Sequence, residues 1–180
     1  MAHHQVLIVG GGAGGITVAA RLKRFRPSLD VAILEPSLEH YYQPGWTLVG
    51  GGVFTLAQTR RQEAELIPAG VTWIREAAAG FDPDHNSVST SGGQTLTYDA
   101  LVVAVGLKLN WDAIDGLTDA LGKGGVCSNY SKDYASYTWE CIQNFKGGNA
   151  VFTCAPMPIK CPGAPQKIAY MADDAIKRDP

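Results

Sequence analysis

The chain has 180 residues, 46% of them hydrophobic and 18% charged, with a formal net charge of −2. That balance suits a globular protein with one sizeable core, or one domain and part of another, and offers no electrostatic case for nucleic acid. Its longest apolar runs, near Leu101–Val105 and Ala150–Phe152, are far shorter than the roughly 20 residues that cross a bilayer, and no cleavable leader precedes the first strand, so a cytoplasmic origin is the default expectation.

Val6-Leu7-Ile8-Val9 reads as a buried parallel strand, Gly10 to Gly15 as a glycine loop, and Ile16 to Arg26 as the returning helix, stopped by Pro27. Gly10, Gly12 and Gly15 fit the G-x-G-x-x-G spacing. The first permits a tight turn, the second a close approach of backbone to a pyrophosphate, and the third close packing of helix on strand. A second strand, Asp30 to Leu34, ends in Glu35, whose carboxylate can accept hydrogen bonds from a ribose diol and would repel a 2′-phosphate. A structural turn with a surface glutamate is the simpler alternative, and the strand–loop–helix–strand context argues against it.

His40 to Trp46 is an aromatic loop too rich in Pro and Gly for a regular element, and Gly50-Gly51-Gly52 would let the backbone pass close to something, a flat ring system or simply the protein's own surface. Thr55 to Leu66 reads as one helix with Thr55 as N-cap and charged residues on one face. Val71 to Ile74 is a strand. Ala77 to Phe81, Ser87 to Thr90 and Thr95 to Thr97 form a small antiparallel meander, with His85 solvated in its first turn. Leu101 to Gly106 is fully apolar and suits a central parallel strand, which places Gly106 at the ligand-binding ends of the strands. Residues 107–126 are irregular, Ser131 to Phe145 is a helix ended by Gly147-Gly148, and Asn149 to Thr153 opens a second β-α unit.

That second unit lacks a glycine fingerprint. Pro156, Pro158 and Pro162 stiffen its loop and remove donors a pyrophosphate would use, so NADH has no evident seat. Cys161 precedes a helix starting near Gln166, with Lys160 and Lys167 adjacent. Both effects favour a thiolate and make Cys161 a candidate redox or nucleophilic residue. The other cysteines, Cys127, Cys141 and Cys154, complete no common zinc-binding pattern, so no metal is expected.

Tyr41-Tyr42-Gln43-Pro44-Gly45-Trp46-Thr47, Cys127-Ser128-Asn129-Tyr130-Ser131, Gly148 to Thr153 and, above all, Pro158-Ile159-Lys160-Cys161-Pro162-Gly163-Ala164-Pro165-Gln166-Lys167-Ile168 resemble the type II sulfide:quinone oxidoreductases, flavoproteins with two dinucleotide-fold domains. The resemblance covers essentially the whole chain. It implies FAD, with Gly10, Gly12 and Gly15 at its pyrophosphate, Glu35 at its adenosine ribose, the Ala78 backbone at its adenine, and Pro44 and Gly106 towards the flavin. Val105 stands where the superfamily usually has threonine.

The resemblance makes Cys161 one of two redox cysteines. Sulfide attacks a disulfide that includes it, giving a persulfide and a free thiolate, and two electrons then pass to FAD and on to a quinone. Cys127 is a less secure second catalytic candidate. The implied fold is α/β: a Rossmann-like FAD-binding parallel sheet with a small antiparallel insertion, plus the start of a second Rossmann-like domain. Its expected divisions are residues 1–110, a connecting loop and helix over 111–147, and the second domain over 148–180. The partner cysteine and the quinone and membrane-docking elements are expected downstream. The chain would then be the N-terminal part of a peripheral membrane enzyme on the cytoplasmic side, able to form oligomers and inactive alone. The alternatives are an NADH dehydrogenase-like flavoenzyme and a non-catalytic FAD-binding or sulfur-carrier fragment.

Overall fold

The computed structural model describes residues 2–155 and 157–178. Pro156, one of the three prolines expected to stiffen the loop around Cys161, lies outside the described residues, as do Met1, Asp179 and Pro180. In chain order the elements are β1 (Ala2–Val9), α1 (Ala13–Phe25), β2 (Val31–Leu34), β3 (Glu39–Tyr41), α2 (Trp46–Gly50), β4 (Arg60–Gln62) and α3 (Glu63–Leu66). They continue with β5 (Val71–Ile74), β6 (Ala78–Asp82), β7 (Ser87–Thr90), β8 (Thr95–Val103), α4 (Leu117–Ala120), α5 (Lys132–Gln143) and α6 (Ala164–Arg178). The chain divides into two compact units, Met1–Tyr41 with Arg61–Lys108 and Tyr42–Arg60 with Leu109–Pro180.

The first unit is built on a six-stranded sheet in the order β5-β2-β1-β8-β7-β6. β5, β2, β1 and β8 run parallel, whereas β7 and β6 are antiparallel. β1 is central, with Val6 opposite Val31 on one side and Ala100 on the other. A strand flanked on both sides and covered on both faces must be apolar at consecutive positions, and Val6, Leu7, Ile8 and Val9 are all buried. The period of two then sorts their side chains. Leu7, Val9, Ala32 and Leu34 pack with Val88, Leu96 and Tyr98, while Val6, Ile8, Val31 and Ile33 pack with Ala19, Val18 and Leu22 of α1. Each full burial of such a side chain contributes about 1.5–3 kcal/mol, which fixes the strand ends where the glycine loop begins.

In the second unit, α2 is held by close backbone packing. Cβ atoms added at Gly50, Gly51 and Gly52 would collide with Asn129, Met171 and Trp139 respectively. The glycine run does let the backbone pass close to something, and what it meets is this unit's own helices. Val49, Leu121, Ala135, Ile168 and Ala172 are its buried apolar residues. Ser131 caps α5 by accepting from the Asp133 amide at 3.2 Å.

Several expected elements differ. The segment 43–50 is regular, a 3-10 turn over Gln43–Gly45 followed by α2. The single helix expected over Thr55 to Leu66 is three pieces: a 3-10 turn over Leu56–Thr59, β4, and α3. Thr55 is the N-cap as expected, in a capping box with Gln58. The helix breaks because residues 60–62 pair with β3, and the Tyr42 amide donates to Thr59 O at 2.8 Å; pairing across the sequence overrides local propensity. β8 is one strand that pairs antiparallel with β7 and then parallel with β1, ending at Val103 rather than Gly106. Residues 149–153 form no strand, since no neighbouring strand offers them a ladder. His85 sits in an exposed turn bonded to Asp82 at 2.8 Å, as expected.

Candidate functional site

The glycine loop lies where β1 ends and α1 begins. The Gly10 amide donates to Leu34 O (2.9 Å), tying the loop to β2, and Gly10 adopts φ +108°, a conformation that favours glycine. Gly15 is buried, and a Cβ there would collide with the Gly10 carbonyl oxygen, so only glycine lets α1 seat this closely. Gly12 is the N-cap of α1 with φ −66°, no side chain caps the helix, and a Cβ there would meet nothing within 4 Å. Ala13 and Gly14 at the start of α1 are exposed, and its first turn carries no acidic residue.

Glu35 follows the last residue of β2. Its Oε2 accepts the Gly11 amide and its Oε1 the Ser37 amide, each at 2.8 Å. A carboxylate has about four acceptor sites, so both oxygens keep capacity for hydroxyl donors. An uncapped helix start, an unobstructed glycine and a tethered carboxylate together fit a dinucleotide's pyrophosphate and ribose. Ala78, at the start of β6, packs on the Leu7–Leu34 core cluster. Gly106 follows the end of β8 by three residues, is exposed, and has φ +73°. All six of these predicted positions belong to the first unit.

Sequence reasoning missed Glu63 in this unit. It is 1% exposed, and burial, with the Glu35 carboxylate alongside, pushes its carboxyl up to about 7. His40 Nδ1 lies 3.5 Å from its Oε2. In the sequence Glu63 lies in the Thr55–Leu66 segment read as a helix with charged residues on one face, and no residue pattern distinguishes it from its charged neighbours.

Pro44, Cys127 and Cys161 belong to the second unit. Cys161 stands three residues before α6, and its carbonyl accepts the Ala164 amide at 3.0 Å. It adopts φ +60°, the left-handed region that an L-residue rarely occupies, and is half-buried. The Tyr130 hydroxyl holds that backbone, within 2.9 Å of Lys160 O and 3.1 Å of Cys161 O. Burial first, and then the nearby Cys161 and Cys154, push the Tyr130 hydroxyl above the usual phenol range, which preserves it as a donor. Lys160 Nζ donates to Gln43 Oε1. Gln43, Pro44, Tyr130, Lys160, Cys161 and Lys167 are among the residues lining a cavity of about 30 Å³, room for one group of water size.

Cys127 is brought to Cys141. The Cys141 thiol bonds with the Tyr137 and Cys127 side chains, and burial pushes it up. All four cysteines are free thiols. Among the described residues no group of His, Cys, Asp and Glu could hold a metal ion, and no helix is long and apolar enough to cross a membrane.

The profile of the pyridine nucleotide-disulphide oxidoreductases matches residues 4–134. The mitochondrial sulfide:quinone oxidoreductase of Dictyostelium discoideum is 47% identical over 97% of this chain, and that of Mus musculus 45% identical over 98%; the chain spans 39% of the length of each. The crystal structure of sulfide:quinone oxidoreductase from Aquifex aeolicus superposes with a TM-score of 0.66 at 28% identity, covering 79% of this chain and 32% of that one.

Proposed function

The chain belongs to the pyridine nucleotide-disulphide oxidoreductases, and we propose that within this family it is the N-terminal part of an enzyme that oxidises sulfide and passes the electrons through FAD to a quinone. FAD is the cofactor of this type of domain. Bound, it supplies a two-electron acceptor. The chain's own part is to hold it: Gly10, Gly12 and Gly15 with the α1 amides at the pyrophosphate, Glu35 at the ribose, the Ala78 backbone at the adenine, and Pro44 and Gly106 towards the flavin.

The observation that carries the reading is the placement of Cys161, strained into the left-handed region on a small cavity with Lys160 and Lys167 in its lining. The similarity to named sulfide:quinone oxidoreductases across nearly the whole chain supports it. In this reading a hydrosulfide anion attacks a disulfide that joins Cys161 to a cysteine of the rest of the protein. One sulfur takes the new S–S bond as a persulfide, and the other leaves as a thiolate. The lysines favour approach of the anion, and Tyr130 holds the Cys161 backbone. Cys127 is retained as a second redox candidate. The domain reading continues with 1–110 as FAD-binding, 111–147 as connection and 148–180 as the start of a second dinucleotide fold. The whole enzyme would sit peripherally at the cytoplasmic side of a membrane and be able to form oligomers.

Steady-state assay of the full-length protein tests the reading. Sulfide should drive reduction of a short-chain quinone, and NADH should not. Quinone reduction driven by NADH alone would overturn the assignment in favour of an NADH dehydrogenase-like enzyme, and reduction by neither donor would favour a non-catalytic FAD-binding module.

A further inference from the structure

The glycine loop is backed by a second acid that the ribose reading does not use. Glu63 opens α3, its amide donating to Leu38 O at 2.9 Å. Its Oε1 is buried with no hydrogen-bond partner among the described residues. A Cβ at Gly11 would collide with that oxygen and lie 2.5 Å from Glu35 Cγ, so both acidic side chains meet at one α-carbon of the loop. The Gly11 amide is also the donor to Glu35 Oε2. A buried carboxyl oxygen without a partner costs free energy, and apolar packing alone would not require a carboxyl at this point.

We propose that Glu63 is a positioning residue of the dinucleotide site, a neutral acid that leaves Glu35 as the single carboxylate beside the glycine loop and whose ionisation weakens the hold on the pyrophosphate. The inference rests on FAD being the group that this loop holds. A pyrophosphate brings two negative charges to the N–H groups of the loop, and a carboxylate touching Gly11 from behind would add a like charge in a poorly screened place. A protonated carboxyl adds none. Among the described residues the titratable groups beside Glu63 are Glu35 from the end of β2 and His40 from β3, and Gly11 presents backbone. Glu65 of its own helix is exposed. Burial beside Glu35 already holds the proton up to about pH 7. By linkage, binding of FAD raises that proton affinity further, so binding near neutral pH takes up a proton.

The test is a titration of the flavin-free full-length protein with FAD between pH 6 and 9, followed by quenching of flavin fluorescence. Wild-type affinity should fall roughly tenfold across this interval as Glu63 ionises. Glu63→Gln should bind FAD without that slope, and His40→Gln should keep a slope, separating the carboxyl from the imidazole. Calorimetry in buffers of different ionisation enthalpy should show proton uptake by the wild type near pH 7 and none by Glu63→Gln. A wild type that takes up no proton, or a Glu63→Gln variant with the wild-type slope, overturns the proposal. Failure of the wild type to bind FAD at any pH overturns the cofactor reading and this inference with it.

Discussion

Replacing Gly12 with alanine separates what the glycine loop does for the fold from what it does for a ligand. Gly12 has φ −66° and ψ 179°, which any residue adopts, and an added methyl would meet nothing within 4 Å. Alanine is a poorer N-cap than glycine by up to about 1 kcal/mol, and the stiffer unfolded chain returns about 0.4–1 kcal/mol, so the net stability change should stay within roughly 0.5 kcal/mol. The methyl would instead fill the open space that the proposed site gives to the pyrophosphate. FAD affinity should therefore fall at least about tenfold, equivalent to about 1.4 kcal/mol.

Gly15→Ala should behave in the opposite way. Its Cβ collides with Gly10 O, so α1 must move off β1, costing about 1–3 kcal/mol and, at roughly 2–4 °C per kcal/mol, lowering Tm by about 2–12 °C. Thermal melts of the flavin-free protein and fluorescence titration with FAD measure the two quantities separately. Unchanged FAD affinity in Gly12→Ala would refute the assignment of that space to the pyrophosphate.

Glu63 also ties stability to pH. Its carboxyl titrates at about 7 in the folded chain against 4.5 unfolded, so its stabilising contribution is complete below about pH 4.5 and is lost as pH rises through 7. The loss amounts to about 3 kcal/mol, and the stability of Glu63→Gln relative to wild type should improve by that amount between pH 4 and pH 8 in urea melts. An unchanged difference would show that Glu63 ionises in the fold at its ordinary pH. Tyr130→Phe removes the hydroxyl that holds the Lys160 and Cys161 carbonyls, a loss of about 1 kcal/mol, and should speed iodoacetamide alkylation of Cys161 by roughly two- to tenfold while lowering Tm by only about 2–4 °C. Equal alkylation rates would remove Tyr130 from the cysteine loop's support.

The first β-α-β unit was legible because its signals are local. Four consecutive apolar residues, a glycine spacing and a second strand ending in Glu35 lie within 35 residues, and each constrains its neighbours directly. What failed was set by contacts distant in sequence. Residues 60–62 left the helical pattern to pair with 39–41, and the Asn149–Thr153 run, apolar enough for a strand, has no strand beside it. Glu63 and Tyr130 were invisible for the same reason. A glutamate reads as solvated until the chain folds it under Gly11, and a tyrosine gives no sign that its hydroxyl will reach the carbonyl of Cys161, 31 residues on. Cys161 was singled out by its place before a helix beside Lys160 and Lys167 and by resemblance, whereas its left-handed backbone was not legible.

The central claim is that Cys161 carries electrons from sulfide to the flavin, and an anaerobic sulfide titration of flavin absorbance near 450 nm (about where oxidised flavins absorb) tests it most directly. In the full-length, flavin-loaded protein, sulfide should bleach that band, and Cys161→Ser should abolish the bleaching while retaining its flavin. A wild type whose flavin stays oxidised in excess sulfide, or a Cys161→Ser variant that bleaches as readily, would contradict the account.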